Sequence, residues 1–379
     1  MKKMLFLGTF CLVVLLGVSF PIYGAETVKI GIIKPLTGPV AYDGRNWVTG
    51  AQIAAEEINK AGGALGRQIE LVVEDGMCVP AESVNAAEKL ITRSKVVAIM
   101  GCYCSSSSGA VMEVVKKYQI PQMTGISTSP KLTELGNPWF FRATANSNLY
   151  ADSFAKGILD LTQAKQIAFL VVNDDWGRGT IDAFSSRFEK LGAKIVAKDV
   201  FAPNESDFYP FLTKIKALNP DVLYVVANTE PAAKIAKQFD EVGMKAKLFG
   251  EGPWAQESFI KLAGKAAEGK YSLVKYVYTI PGERNARLVS EFRKRANEAP
   301  PQEFLAGYTC THIMAEGIKR AGGTDAEKLR LALEKTDYDG LNGKYRFDEK
   351  HQAYGFDLYL TQTQNANPVV VKQVRVGKP

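Results

Sequence analysis

Short apolar runs alternate along this chain with stretches in which apolar side chains recur every three or four positions. The runs at 28–33, 69–74 and 96–100 read as strands. Between and after them come helical faces: Ala51, Ala54, Ala55 and Ile58, then 80–93 opened by Pro80, then Val111, Val114, Val115 and Tyr118. A second series follows, with strands predicted at 167–172, 194–200 and Val222–Val226 and helices at 180–191, 208–218 and 232–242. Strand–helix alternation of this kind predicts an α/β fold with parallel sheets covered by helices on both faces. Two such series predict two Rossmann-like lobes. Phe140-Phe141-Arg142-Ala143-Thr144 and the polar turn Asn146-Ser147-Asn148 lie between them.

Later segments carry the chain back. A helix is expected at 308–321, another after the capping-box pattern Thr324-Asp325-Ala326-Glu327, and a hairpin from 356–361 and 369–376 around Asn365-Ala366-Asn367-Pro368. Several crossings between lobes imply a cleft and a hinge. The expected division is 25–144 plus 276–351 for lobe 1 and 145–275 plus 352–379 for lobe 2.

The amino terminus places the protein outside the cytoplasm. Lys2 and Lys3 precede an apolar stretch, residues 4–20, and small residues follow at Gly24 and Ala25. That order is a secretory signal peptide, residues 1–24, with cleavage expected after Gly24 or Ala25. Cys11 lacks the preceding small residue of a lipoprotein signal, so a periplasmic location is expected. Losing two lysines from a formal charge of +7 leaves a mild excess without a basic block, which argues against nucleic acid. Four cysteines remain, and an oxidising compartment favours one disulfide. Cys78 and Cys104 each follow a predicted strand; Cys102 competes, and Cys310 reads as a buried helix residue.

Ser105, Ser106, Ser107 and Ser108 sit where a strand ends and a helix begins. Hydroxyls and unpaired N–H groups at a helix start suit an anion, and open α/β sheets bind ligands at such strand ends. A second hydroxyl-rich segment, Thr124-Gly125-Ile126-Ser127-Thr128-Ser129-Pro130, follows the next strand end. Two such loops can hold a carboxylate while nearby carbonyls receive an ammonium. No nucleophile elbow, phosphate loop or zinc-helix motif is present. His312 lies on an apolar helix and His351 in a polar turn, and neither is near the serines in sequence. Catalysis, a metal and a cofactor are therefore not expected.

The chain resembles the periplasmic binding proteins of the leucine/isoleucine/valine type, which serve ABC importers. The resemblance covers nearly the whole mature chain. It is carried by Ile30-Gly31 to Gly38-Pro39, Gly50-Ala51 to Ile58-Asn59, Asp75-Gly76-Met77-Cys78, Cys104-Ser105-Ser106-Ser107-Ser108, Ser127-Thr128-Ser129-Pro130, Trp176-Gly177-Arg178-Gly179 and Gly355-Phe356-Asp357. It implies two lobes joined by a multi-stranded hinge that close on a ligand without transforming it. It further implies a Cys78–Cys104 disulfide, carboxylate contacts from Ser105, Ser127 and Thr128, and Trp176 closing from lobe 2. Three departures stand out. Glu251 falls about one residue from the family's ammonium-binding acid, Ala227-Asn228-Thr229-Glu230 replaces an expected tyrosine, and Asp43 stands where branched-chain binders carry an aromatic.

The expected function is capture of a small carboxylate-bearing solute, most readily an amino acid, for an ABC permease by a monomeric protein. Glu230 or Glu251 would hold the ammonium. An aromatic or aliphatic carboxylate or an amide without an ammonium is the alternative solute. A serine hydrolase and a sensory receptor component are the competing classes.

Overall fold

The computed structural model describes residues 27–378. The expected signal segment, its cleavage site and Cys11 lie outside the described residues. The chain opens with β1 (Val28–Lys34), α1 (Ala41–Lys60), β2 (Ile69–Asp75), α2 (Pro80–Thr92), β3 (Ala98–Gly101), α3 (Ser105–Tyr118), β4 (Gln122–Thr124), the single turn α4 (Lys131–Glu134) and β5 (Phe140–Arg142). These five strands form a parallel sheet in the order β2-β1-β3-β4-β5. Val28, Ile30, Ile32 and Ile33 of β1 are all fully buried, as expected of a strand with helices on both faces.

The second lobe continues through α5 (Ser147–Thr162), β6 (Gln166–Val172), α6 (Asp175–Lys190), β7 (Lys194–Phe201), α7 (Tyr209–Ala217), β8 (Val222–Val226), α8 (Thr229–Glu241), β9 (Lys247–Glu251), α9 (Glu257–Ala263) and β10 (Tyr271–Val274). Strands β7-β6-β8-β9-β10 run parallel to one another. The chain then forms α10 (Glu283–Ala296), α11 (Gln302–Ala321), α12 (Ala326–Glu334), β11 (Tyr338–Gly340), β12 (Gly343–Phe347), β13 (Ala353–Gln364) and β14 (Asn367–Arg375). Strand β13 is antiparallel to β10 and forms the expected hairpin with β14. The two-lobed α/β architecture and the alternation read from the sequence are both present. Among the described residues no helix is long and apolar enough to cross a membrane.

Two elements begin earlier than their apolar spacing predicts. Helix α6 starts at Asp175, not Thr180, because the Asp174 side chain accepts the Gly177 N–H at 2.9 Å and caps it. Helix α11 starts at Gln302, where two buried polar residues, Gln302 and Glu303, hide the apolar pattern. His351, expected in a polar turn, is buried. A left-handed backbone (φ 59°) turns it inward onto the Phe141 ring, 4.1 Å between centroids.

Helix α11 is held against α1 at backbone contact. A Cβ on Gly50 would lie 2.0 Å from the Phe304 carbonyl oxygen, and one on Gly307 would lie 2.0 Å from the Trp47 carbonyl oxygen. Two glycines inside helices cost about 1 kcal/mol each in propensity, so the close approach is what they serve. It brings the amino-terminal end of α11 to the space between the lobes. Gly307→Ala should therefore lower unfolding stability by about 2 kcal/mol, despite alanine's better helix propensity. A urea denaturation midpoint equal to that of the parent would contradict this packing.

Candidate functional site

The serine run begins α3 at its first residue. Cys104 is the cap residue, contributes no side-chain cap, and is disulfide-bonded to Cys78. The first intrahelical bond runs from Ser108 N–H to Cys104 O at 3.0 Å, so helix geometry leaves the N–H groups of Ser105, Ser106 and Ser107 without intrahelical carbonyls. The four hydroxyls have different surroundings. Ser108 Oγ accepts the Cys102 N–H at 3.0 Å and shares a hydrogen with Ser127 Oγ at 2.7 Å. Ser105 Oγ accepts the Ser129 N–H at 3.3 Å, which leaves its own hydrogen free to donate. Ser107 Oγ is buried without a partner, and Ser106 is half-buried. Two of the serines thus bind the second loop to the helix start.

That second loop has its carbonyls almost fully engaged. Gly125 O accepts from Lys275 Nζ at 2.9 Å, Thr128 O from Ser147 N–H at 2.9 Å, and Ser129 O from Arg142 Nη1 at 2.6 Å. Ser127 O takes a longer bond from Arg142 Nη1 at 3.4 Å. Among the described residues the Ile126 carbonyl accepts no hydrogen bond, and the buried Thr128 Oγ1 has no partner. Arg142 is fully buried, and its other nitrogens donate to Thr133 Oγ1 at 2.5 Å and Gln352 Oε1 at 2.7 Å. Burial pushes its pKa down to about 9 against the pull of Glu134 and Asp348.

Lobe 2 supplies the opposite wall from the ends of β6, β8 and β9. Glu251 ends β9 and is buried; its Oε1 accepts Trp176 Nε1–H at 2.8 Å and its Oε2 accepts the Tyr224 hydroxyl at 3.1 Å. Burial raises its pKa, and those two donors together with Lys275 oppose the rise. Gly252 has φ 96°, and a Cβ there would come within 3.1 Å of the Trp176 ring. Tyr150, Asp174 and Asn228 complete this side. The lobes meet just outside, where the Gly179 position of α6 lies against Pro130.

The space between these walls measures about 570 Å³ including its open mouth. Ser105, Ser127, Thr128, Trp176 and Glu251 line it together. Ser106 does not line it with its side chain. Glu230 is exposed, one residue into α8, and Asp43 is buried behind the cavity wall. The disulfide joins Cys78 to Cys104, while Cys102 and Cys310 are free, buried thiols whose pKa values burial pushes up to about 12. Tyr103, Lys275, Gln302 and Glu303 also line the cavity and were not read from the sequence. Tyr103 adjoins the serine run and carried a local signal. The other three come from the returning chain and carried none.

Chemically, one wall offers hydrogen-bond donors and the other a buried carboxylate. A family model described as periplasmic binding protein matches residues 27–368. The chain is 28% identical over 335 residues to the leucine-, isoleucine-, valine-, threonine-, and alanine-binding protein of Pseudomonas aeruginosa, covering 88% of this chain and 89% of the relative. It is 25% identical to the Leu/Ile/Val-binding protein of Escherichia coli, over 88% of this chain and 90% of the relative. Among solved structures, the branched-chain amino acid transporter substrate binding protein LivJ of Streptococcus pneumoniae, in complex with isoleucine, superposes with a TM-score of 0.84. The identity is 26%, over 93% of this chain and 100% of that one.

Replacing Arg142 by Met would leave the Gln352 side-chain carbonyl without a partner, and would leave the Ser129 carbonyl and the Thr133 hydroxyl only their longer bonds to Leu132 N–H at 3.3 Å and Pro130 O at 3.5 Å. The expected loss is about 3 kcal/mol or more of unfolding stability, measured by chemical denaturation. A loss below about 1 kcal/mol would show that the loop does not depend on the guanidinium.

Proposed function

Because the chain belongs to the periplasmic binding protein family, as an ABC importer substrate-binding protein of the leucine/isoleucine/valine-binding type, we propose that its solute is a small carboxylate, most readily an amino acid, held between the lobes. The observation that carries this reading is the pairing of free donors with a facing acid. The unpaired Thr128 hydroxyl and the first-turn N–H groups of α3 lie on one side, and buried Glu251 lies on the other. A carboxylate on the α3 side gains charge-assisted hydrogen bonds and the favourable end of the helix dipole. An ammonium would find the unoccupied Ile126 carbonyl and the remaining lone pairs of Glu251. The amino-acid names of the relatives support the same solute class.

Ser105 and Thr128 belong to one lobe and Glu251 and Trp176 to the other, so a bridging solute favours the closed arrangement and presents both lobe surfaces to a permease. Release unchanged, from a monomer whose segment 1–24 has been removed on export, completes the reading.

One feature supports the solute without an ammonium. Glu251 already receives two hydrogen bonds, and burial favours its neutral form, so it does not require a cationic partner. A thermal-shift comparison of amino acids with their deaminated analogues separates the two. Equal stabilisation by both would remove Glu251 as an ammonium site.

For the carboxylate itself, Thr128→Val keeps the shape and removes the hydroxyl. With the best carboxylate solute, its affinity by calorimetry should fall about tenfold or more, and Ser105→Ala should follow the same direction. Unchanged affinity in both variants would end the carboxylate assignment.

A further inference from the structure

Tyr103, Lys275, Gln302 and Glu303 bring four polar side chains to the cavity, and the buried Lys275 ammonium among them touches no carboxylate of the described residues at ion-pair distance; burial pushes its pKa down to about 8 against the pull of Glu303 and Glu251. Lys275 follows directly on β10 and is 7% exposed. Its ammonium spends one hydrogen on the Gly125 carbonyl at 2.9 Å and forms no ion pair among the described residues. Three donors are available to an ammonium, so two remain. Glu303 is committed elsewhere: its Oε2 accepts from Gln256 Nε2 at 2.6 Å, and its Oε1 faces the Tyr103 hydroxyl at 3.5 Å. Asp43, behind the wall, has one buried carboxylate oxygen without a partner. Burial raises the pKa of both acids; the charge of Glu303 raises that of Asp43 further, and Lys275 opposes the rise in Glu303.

An aliphatic side chain in this end would strip water from Lys275, Gln302 and Glu303 and return no hydrogen bond. Polar groups left unmatched in that way discriminate strongly against the apolar analogue. A buried cation with idle donors is also the costliest of these groups to leave unpaired. The geometry points to a solute that carries, besides the carboxylate held on the α3 side, a second hydrogen-bond acceptor at its far end, a carboxylate or carboxamide seated on Lys275.

Lys275 thereby sets specificity against the branched aliphatic side chains. Gln302, whose Oε1 accepts the Lys275 backbone N–H at 3.4 Å, holds the residue in place and presents its own amide beside it. This inference rests on the carboxylate reading of the serine side and adds the far end of the same solute.

The test uses the mature protein, unfolded and refolded to remove bound solute, titrated by calorimetry with solutes of matched shape. Leucine, asparagine and aspartate share a branching pattern and differ in the polarity of the tail; glutamine, glutamate, succinate and glutarate extend the set with and without the ammonium. The polar-tailed solutes should include one binding at least ~100-fold more tightly than leucine, isoleucine or valine. Lys275→Met should cut that preference about tenfold or more. If Lys275→Met fails to fold, Gln302→Leu should reduce the same preference. Branched aliphatic amino acids binding as tightly as any polar-tailed solute would overturn the inference, as would a preference untouched by the variants. In that case a loss of all binding in Thr128→Val would leave the carboxylate reading standing. If no solute in the set binds the parent protein, this inference has failed; if benzoate and 4-hydroxybenzoate also do not bind, the carboxylate reading has failed with it.

Discussion

A guanidinium sealed from solvent lies under the second hydroxyl loop, and the shape of the cleft depends on it. Arg142 ends the last strand of the first sheet, where the chain leaves for the second lobe. From there it draws the carbonyls of Ser127 and Ser129 downward and fixes Thr133. It also reaches Gln352, where the chain enters the second sheet along β13. A charge in that position is tolerable because each of its three nitrogens has an acceptor. The consequence above it is a loop whose Ser127 and Ser129 carbonyls are turned to the interior and whose Thr128 hydroxyl is left without a partner.

The polarity of the cleft follows from where each lobe places its backbone ends. In lobe 1, the helix after β3 and the loop after β4 bring N–H and hydroxyl donors to the strand ends, the position where parallel sheets bind ligands. In lobe 2, the end of β9 delivers a carboxylate, steadied by an indole and a phenol that hold its orientation. Neither wall alone encloses a solute. Joining the walls needs the returning helix α11, whose backbone contact with α1 places Gln302 and Glu303 at the far end. The specificity of the site is therefore written in the packing of two glycines as well as in the lining side chains.

Much of this was legible along the chain. The alternation of apolar runs and helical faces gave the α/β class, and the serine run marked the start of α3 because strand, glycine and helix are local features. Glu230 shows where local reading stops. It follows strand β8 as Glu251 ends β9, yet Thr229 is buried and Glu230 is exposed, because a helix turns about 100° per residue. Helix α5 was passed over behind the polar turn that caps it, although Tyr150, Phe154 and Ile158 repeat at helical spacing. Lys275, Gln302 and Glu303 had no local mark at all. Their burial comes from a return of the chain across the lobes, which no window of sequence contains.

The central claim is that the first turn of α3 and the loop beside it hold a carboxylate. The most direct measurement is a titration of amide resonances in the isotopically labelled, solute-stripped protein with a binding carboxylate solute. The account predicts that the amides of Ser105, Ser106, Ser107 and Thr128 shift together and saturate with one solute per chain. Saturable binding that leaves those four amides in place, while resonances elsewhere move, would contradict it.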